Sequence, residues 1–176
     1  MAIKVLFFDT DALLKKFIEE DGSKTVRWLT APQTKVKYAL HFVINEQVCS
    51  EFERKIRLFV KRNRITETTA ERVLRQFLNY HKNKNFRVIG QKIISNVKKE
   101  TTLDTAINDL KLKRGKNDWD AIHYQSIVNA LAVYGGKSHP ILVSCDVKFS
   151  KKIATKGFRV INPMKQKPDE IKLIFA

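Results

Sequence analysis

The chain has 176 residues, of which 43% are hydrophobic, and its 34 Lys and Arg against 18 Asp and Glu give a formal net charge of +16. This hydrophobic fraction excludes a disordered chain, and the length fits one domain with a sizeable core. The positive charge predicts a polyanionic partner, most simply RNA or DNA. No apolar stretch has membrane-spanning length, and two cysteines without an export signal predict a reducing, cytoplasmic setting.

The first third of the sequence alternates between strand and helix patterns. Residues 3–8 form a short apolar run that ends at Asp9, which is typical of a buried strand in a parallel sheet. The patterns that follow predict a helix over 11–18, a short helix over 23–29 ended by Pro32, a strand over 38–44, and a long helix from an Asn45 cap to about residue 63.

Two opposite faces of this long helix differ in character. At about 100° per residue, its core face consists of Val48, Phe52, Ile56 and Phe59. The opposite face carries a basic stripe of Arg54, Arg57, Lys61 and Arg64. A single charge run usually marks a solvated helix face. In a chain this basic, however, the stripe is a candidate surface for the phosphate backbone of a nucleic acid.

The rest of the sequence continues the alternation. A helix opens at Thr66 and is expected to turn four apolar residues inward, namely Val73, Leu74, Phe77 and Leu78. Further elements are predicted in this order: a strand over 86–90, helical residues 91–113 broken around 101–102, a basic loop over 113–117, a helix over 118–134, a strand over 141–144, a helix over 149–155 and a strand over 158–161. Strands alternating with helices predict an α/β fold with a mainly parallel sheet covered on both faces.

Acidic residues follow strands or open helices at four places. Asp9 and Asp146 each follow an apolar run, and the carboxyl ends of parallel strands line the crevice where α/β folds bind ligands. Glu51 lies in the second turn of the long helix, and Asp120 opens a later one. Each acid has an alternative interpretation, because Asp caps helices, Glu is commonly solvated, and acids favour a helix N-terminus.

Taken together, the four acids predict a metal site. Like charges held close together need a proton or a cation between them. Carboxylate oxygens suit hard ions, which predicts one or two Mg²⁺ or Mn²⁺ ions. Combined with a polyanionic partner, this favours metal-assisted hydrolysis of a phosphodiester bond.

Several blocks of the sequence resemble the PIN-domain ribonucleases in order and spacing. Residues 8–14, Phe-Asp-Thr-Asp-Ala-Leu-Leu, resemble the opening of that family. Residues 48–52 resemble the family's helix that carries the second acid, and residues 120–123 fit the helix that carries the third. Residues 142–149 resemble the block Leu-Val-Thr-x-Asp-x-x-Phe, and residues 157–163 resemble the closing strand. The set is similar to bacterial toxin-type PIN proteins, with a longer middle region.

The resemblance implies a three-layer α/β/α fold and a site whose catalytic and metal-binding residues are Asp9, Glu51, Asp120 and Asp146. It implies endonucleolytic cleavage of RNA that leaves a 5′ phosphate and a 3′ hydroxyl. Ser144 would orient a metal ligand or water. As for many members of the family, an antitoxin protein and a homodimer are candidate partners.

Two residues near the third acid have more than one possible role. Asp118 stands two positions before Asp120 and is its rival as the third ligand, although the motif favours Asp120. His123 follows Asp120 by about one helical turn, so it could face the site. A structural hydrogen bond is the more common role for such a histidine.

The resemblance divides the chain into a nuclease domain over 1–163, with an extended helical middle region at about 64–116, and a C-terminal extension over 164–176. One alternative function is a basic RNA-binding domain without catalysis. Another is a haloacid-dehalogenase-type phosphatase, whose opening Asp-x-Asp is satisfied by Asp9 and Asp11. That motif usually has Thr or Val where this chain has Leu13, and its later paired acids are not evident.

Overall fold

The computed structural model describes residues 4–82, 87–89, 100–115, 118–134 and 139–175. The strands within these ranges are β1 (Lys4–Phe8), β2 (Leu40–Asn45), β3 (Arg87–Ile89), β4 (His139–Val143) and β5 (Arg159–Ile161). The helices are α1 (Thr10–Phe17), α2 (Ser23–Leu29), α3 (Pro32–Lys37), α4 (Glu46–Lys61), α5 (Glu67–Lys82), α6 (Glu100–Asp109), α7 (Asp118–Tyr134), α8 (Val147–Ala154) and α9 (Pro168–Phe175).

The strands form one sheet in the order β3-β2-β1-β4-β5. All four pairings are parallel, and in the pairing of β1 with β4 Phe8 lies opposite Val143. The predicted α/β class with a parallel sheet is therefore confirmed. The chain moves outward from β1 to β3 and then returns to the other side of β1, so the strand order reverses between β1 and β4. A crevice opens at the carboxyl ends of the strands at such a reversal.

Helices cover both faces of the sheet, as the three-layer prediction requires. Successive side chains of a strand point to opposite faces, and β1 shows this directly. Leu6 and Phe8 belong to a buried cluster that includes residues of α1, α2, α4, α5 and α9. Val5 and Phe7 belong to a second cluster with residues of α6, α7 and α8.

The long helix α4 follows the sequence prediction closely. Asn45 caps it, because its Oδ1 accepts the Val48 N–H at 2.8 Å. Val48, Phe52 and Ile56 are buried, and Phe59 packs against the same cluster while partly buried. The capped N-terminus fixes where α4 starts relative to the end of β2.

One expectation about the helices is wrong, and one helix was not predicted. The chain does leave α2 before Pro32, but Pro32 then begins α3 at the first helical position, where a missing N–H costs nothing. Leu78 is 53% exposed, because it lies about 100° around α5 from the buried Phe77. Helix α6 begins at Glu100, runs through 101–102 and buries Leu103, Ala106 and Ile107. The first of the two predicted helical pieces falls largely on 90–99, outside the described residues, so the break between the pieces stays a prediction.

Parts of the predicted middle region lie outside the described residues. These parts are 83–86, 90–99 and 116–117, so they include most of the first predicted helical piece and the end of the basic loop. Within the described ranges, the middle region contains α5, β3 and α6. No helix in the described part of the chain combines the length and apolar character of a membrane span.

The residues predicted as a C-terminal extension contribute to the core. Helix α9 buries Ile171 and Phe175 in the cluster that also contains α1 and α4. The Phe175 ring stacks on Trp28, with centroids 6.3 Å apart and an interplanar angle of 17°. Residues of the extension therefore pack against the same sheet face as the N-terminal helices.

Candidate active site

A pocket of about 560 Å³ lies where the sequence places the four acids. Asp9, Glu51, Asp120 and Asp146 all line it, together with the other residues Asp11, Gln47, Val48, Ser50, Arg54, Lys55, Trp119, His123 and Phe149. Asp9 directly follows β1 and Asp146 comes soon after β4, so the pocket lies at the strand-order reversal. Four acids from distant parts of the sequence thus share one space.

A buried serine joins the ends of β1 and β4. The Ser144 hydroxyl donates to Asp9 Oδ2 at 2.8 Å and accepts the Asp146 N–H at 3.0 Å. The Asp9 N–H also donates to the Val143 carbonyl at 3.0 Å. Ser144 is fully buried, so these contacts are shielded from water. One side chain therefore fixes the Asp9 carboxylate relative to the backbone of Asp146.

Both strand-end aspartates are also helix caps, as their alternative interpretation requires. Asp9 Oδ1 accepts the Thr10 N–H at 2.6 Å, and Asp146 Oδ1 accepts the Phe149 N–H at 2.9 Å. Capping uses one oxygen of each carboxylate, and Asp146 is exposed beside the pocket. The two roles are compatible, because the caps fix the orientation of carboxylates that line the pocket.

Glu51 is held by a residue of another helix and paired with a lysine of its own. The Thr10 hydroxyl, which is fully buried, donates to Glu51 Oε2 at 2.7 Å. Lys55 Nζ lies 3.3 Å from Glu51 Oε1 and 2.6 Å from Asp11 Oδ1. Burial by itself lowers the pKa of Lys55. Its contacts with Asp11 and Glu51 together raise the pKa by more, so the pKa of Lys55 lies above its usual value. Lys55 therefore remains a cation beside two carboxylates.

The structure separates the two rivals for the third acid. Asp120 lines the pocket. Asp118 Oδ1 instead accepts the Gly115 N–H at 2.8 Å, and its Oδ2 lies 4.0 Å from Arg114 Nε. Asp118 thus contacts the loop that precedes α7, whereas Asp120 is positioned with the other acids.

His123 makes the structural hydrogen bond expected from the sequence, and it also lines the pocket. Its Nδ1 lies 3.0 Å from Asn45 Nδ2, the ring is only 8% exposed, and no described residue is a hydrogen-bond partner of its Nε2. Burial lowers the pKa of His123, although the charges of Asp9 and Glu51 oppose this shift. Its contact with the side chain of Asn45, which lies 78 positions earlier, gave no signal in the sequence.

Burial also governs the first acid of the pocket. It raises the pKa of Asp9 above the usual value, while electrostatic interaction with His123 and the hydrogen bond from Ser144 lower it. A carboxylate in this setting is stabilised by a nearby cation.

The four acids that line the pocket offer carboxylate oxygens, which are the ligands that a hard divalent cation prefers. Within the described ranges, no three His, Cys, Asp or Glu side chains are grouped closely enough to form a complete metal cluster. Mg²⁺ rarely needs such a cluster, because it commonly binds one or two carboxylates and completes its shell with water and substrate phosphate. Asp9 and Asp146 are the pair that the Ser144 bridge holds in fixed relation.

The contacts made by the predicted basic stripe change along its length. Arg54 lines the pocket and lies 3.6 Å from Glu51 Oε1. Arg57 pairs with Glu53 at 2.8 Å, and Arg64 pairs with Glu20 at 3.2 Å while lying over the Phe59 ring. Lys61 is exposed. The stripe therefore begins at the pocket with Arg54 and continues over a surface whose arginines are engaged in ion pairs.

Trp119 and Lys55 are among the pocket residues that the sequence did not indicate. Trp119 is 58% exposed and lines the pocket next to Asp120. A large aromatic residue directly before Asp120 was the signal available in the sequence. Lys55 gave no separate signal, because it stands among many other basic residues of α4.

Comparison with known proteins shows a shared fold. No family model and no curated protein matches the sequence. A chain in the crystal structure of VapBC2 from Rickettsia felis, bound to a DNA fragment from its promoter, is similar with a TM-score of 0.53 and 13% sequence identity. The match covers 90% of this chain and 98% of that one. The α/β arrangement described above is therefore found in a solved structure over nearly its whole length.

Proposed function

We propose that the protein is a divalent-metal-dependent endoribonuclease of the PIN type. The observation that carries this proposal is the convergence of Asp9, Glu51, Asp120 and Asp146 on one pocket at the strand-order reversal. Their order in the chain is the order of acids in the PIN motifs. The formal charge of +16 explains why a phosphate polymer would approach an acidic pocket.

The four acids would hold one or two Mg²⁺ or Mn²⁺ ions. Such an ion, when bound, polarises the phosphate and lowers the pKa of an attacking water. The chain's own contribution is to position its side chains. Ser144 and the Thr10 N–H orient Asp9, and the Thr10 hydroxyl orients Glu51. Lys55 offsets part of the negative charge near Glu51 and Asp11.

RNA is the proposed substrate, and two pocket residues support a nucleic acid. Arg54 offers a cation at the start of the basic stripe, and the exposed Trp119 offers a surface on which a base can stack. A stacking residue beside the acids favours a polymer over a small phosphate ester.

The biological setting proposed is that of a toxin in a toxin–antitoxin pair, in the cytoplasm. The PIN resemblance and the fold shared with a chain of the VapBC2 assembly support an antitoxin partner. A homodimer is proposed on the resemblance alone.

The test is incubation of the purified full chain with a 5′-labelled single-stranded RNA in Mg²⁺, Mn²⁺ or EDTA. We expect internal cleavage with either metal, products with a 5′ phosphate and a 3′ hydroxyl, and none in EDTA. Asp146→Asn should abolish cleavage, whereas Asp169→Asn, which changes an exposed acid of α9 outside the pocket, should not.

Two results would favour the alternatives. RNA that is bound but uncut in both metals would indicate a non-catalytic RNA-binding domain. Hydrolysis of p-nitrophenyl phosphate with the RNA left intact would indicate a phosphatase of the haloacid-dehalogenase type.

A further inference from the structure

The tautomer of His123 is set by a helix cap. The Asn45 side-chain oxygen accepts the Val48 N–H at 2.8 Å, which fixes the orientation of the amide, because a flip would turn its NH₂ group toward another donor. The nitrogen that lies 3.0 Å from His123 Nδ1 is therefore Asn45 Nδ2. An amide NH₂ only donates, so His123 Nδ1 accepts this hydrogen bond and carries no proton.

It follows that the ring proton of His123 is on Nε2. This N–H is buried, since the residue is 8% exposed, and Nε2 has no hydrogen-bond partner in the described part of the chain. Leaving a buried donor unsatisfied is costly, and such groups in folded proteins call for an explanation. His123 lines the pocket of the four acids, and Nδ1 is already engaged with Asn45.

We propose that the Nε2–H of His123 donates a hydrogen bond to a non-bridging oxygen of the scissile phosphate, and that Asn45 is the positioning residue that keeps it a donor. This inference rests on the proposed function, in which a divalent cation makes the acidic pocket accept a phosphate. His123 is not a metal ligand in this assignment, because metal coordination through Nε2 needs the lone pair that the proton occupies.

The structure does not pair this N–H with the nearby carboxylate. The Asp9 oxygens accept hydrogen bonds from the Thr10 N–H and the Ser144 hydroxyl, and His123 Nε2 makes none to either. A phosphate oxygen that enters with the substrate would supply an acceptor for the buried N–H. The hydrogen bond from Nε2 would then help to position the phosphate before any bond is broken.

The first arm of the test reads the tautomer directly. Long-range ¹H–¹⁵N spectra of the histidine rings, recorded on the full chain in EDTA, should show His123 with its proton on Nε2. Adding inorganic phosphate with Ca²⁺, and separately a short single-stranded RNA with Ca²⁺, should shift the His123 Nε2–H signal. A proton on Nδ1, or an unshifted signal with both probes, overturns the inference.

The second arm uses matched variants in the RNA cleavage assay. His123→Leu keeps an apolar group of comparable burial but removes the donor, so kcat/KM should fall about ten- to a hundredfold. Mn²⁺ affinity, measured by calorimetry, should stay within about twofold. His123→Gln offers an amide donor and should recover most of the loss. Equal kcat/KM in wild type and His123→Leu overturns the inference while leaving the proposed function intact.

Asn45→Ser tests the positioning role. Serine preserves the cap of α4 but removes the donor to Nδ1, so the ring spectra should show a mixture of both tautomers and kcat/KM should fall less than in His123→Leu. A ring that keeps its proton wholly on Nε2 in this variant contradicts the role of Asn45. If wild type cuts no RNA with any metal, the proposed function fails, and the phosphate-induced shift of Nε2–H decides the inference by itself.

Discussion

The acidic pocket and the basic stripe of α4 adjoin each other, but they are held in opposite ways. In the pocket, buried Ser144 and Thr10 fix the carboxylates of Asp9 and Glu51 through contacts between distant parts of the chain. On the stripe, Arg57 and Arg64 are exposed and make surface ion pairs, which are worth at most about 1 kcal/mol each. The pocket is therefore preorganised, whereas the stripe can exchange its partners for phosphates at little cost.

Among the substitutions that test this difference, the largest loss of activity is expected from one in α7. Asp120→Asn should reduce metal-dependent RNA cleavage by about a thousandfold, which corresponds to roughly 4 kcal/mol of transition-state stabilisation. Asp118→Asn is the matched control, because its carboxylate contacts Gly115 and Arg114 outside the pocket. Single-turnover rates of both variants provide the measurement. A large loss in Asp118→Asn with full activity in Asp120→Asn would reverse the assignment of the third acid.

A smaller effect is expected when the support beneath the carboxylates is removed. Ser144→Ala deletes the hydroxyl that bridges Asp9 and the Asp146 N–H. The free energy of unfolding should fall by about 1–3 kcal/mol, because a buried donor and acceptor lose their partner. RNA cleavage should fall by about tenfold or more, since the Asp9 carboxylate loses its fixed orientation.

Ser150→Ala is the control for this change. Ser150 is also buried, but its hydroxyl has no hydrogen-bond partner in the described part of the chain. Urea unfolding should show Ser150→Ala to be neutral or slightly stabilising. Equal destabilisation by the two substitutions would show that the Ser144 bridge contributes nothing specific.

The smallest effects are expected on the stripe, and they should decline away from the pocket. Arg54→Glu should weaken RNA binding by about tenfold at low salt and flatten the dependence of affinity on salt concentration. Arg57→Glu should cost about threefold, because Arg57 pairs with Glu53 and does not line the pocket. Fluorescence anisotropy with a labelled RNA in EDTA, over a series of salt concentrations, provides the measurement. Equal losses for both variants would mean that the RNA follows the stripe without entering the pocket.

The sequence predicted the parts of this arrangement that depend on local signals. The apolar runs before Asp9 and Asp146 indicated strands, and the cap at Asn45 indicated where α4 begins. Once β1 and β4 are adjacent and parallel, the acids that follow them must meet at one edge of the sheet. Convergence of the four acids was therefore predictable from strand ends and chain order.

What the sequence could not predict depends on contacts between distant residues. The hydrogen bond between Asn45 and His123 joins α7 to the cap of α4, and nothing in the local pattern of either segment reveals it. The sequence also did not predict α3, which begins at Pro32, because this helix is too short to show an apolar periodicity.

The most direct test of the account is a crystal of the full chain soaked in Mn²⁺ and measured at a wavelength where manganese scatters anomalously. The account predicts an anomalous peak in the pocket, within coordination distance of Asp9 and Asp146, and no such peak in Asp146→Asn. RNA cleavage that requires Mn²⁺ from a protein whose crystals show manganese only outside the pocket would contradict it.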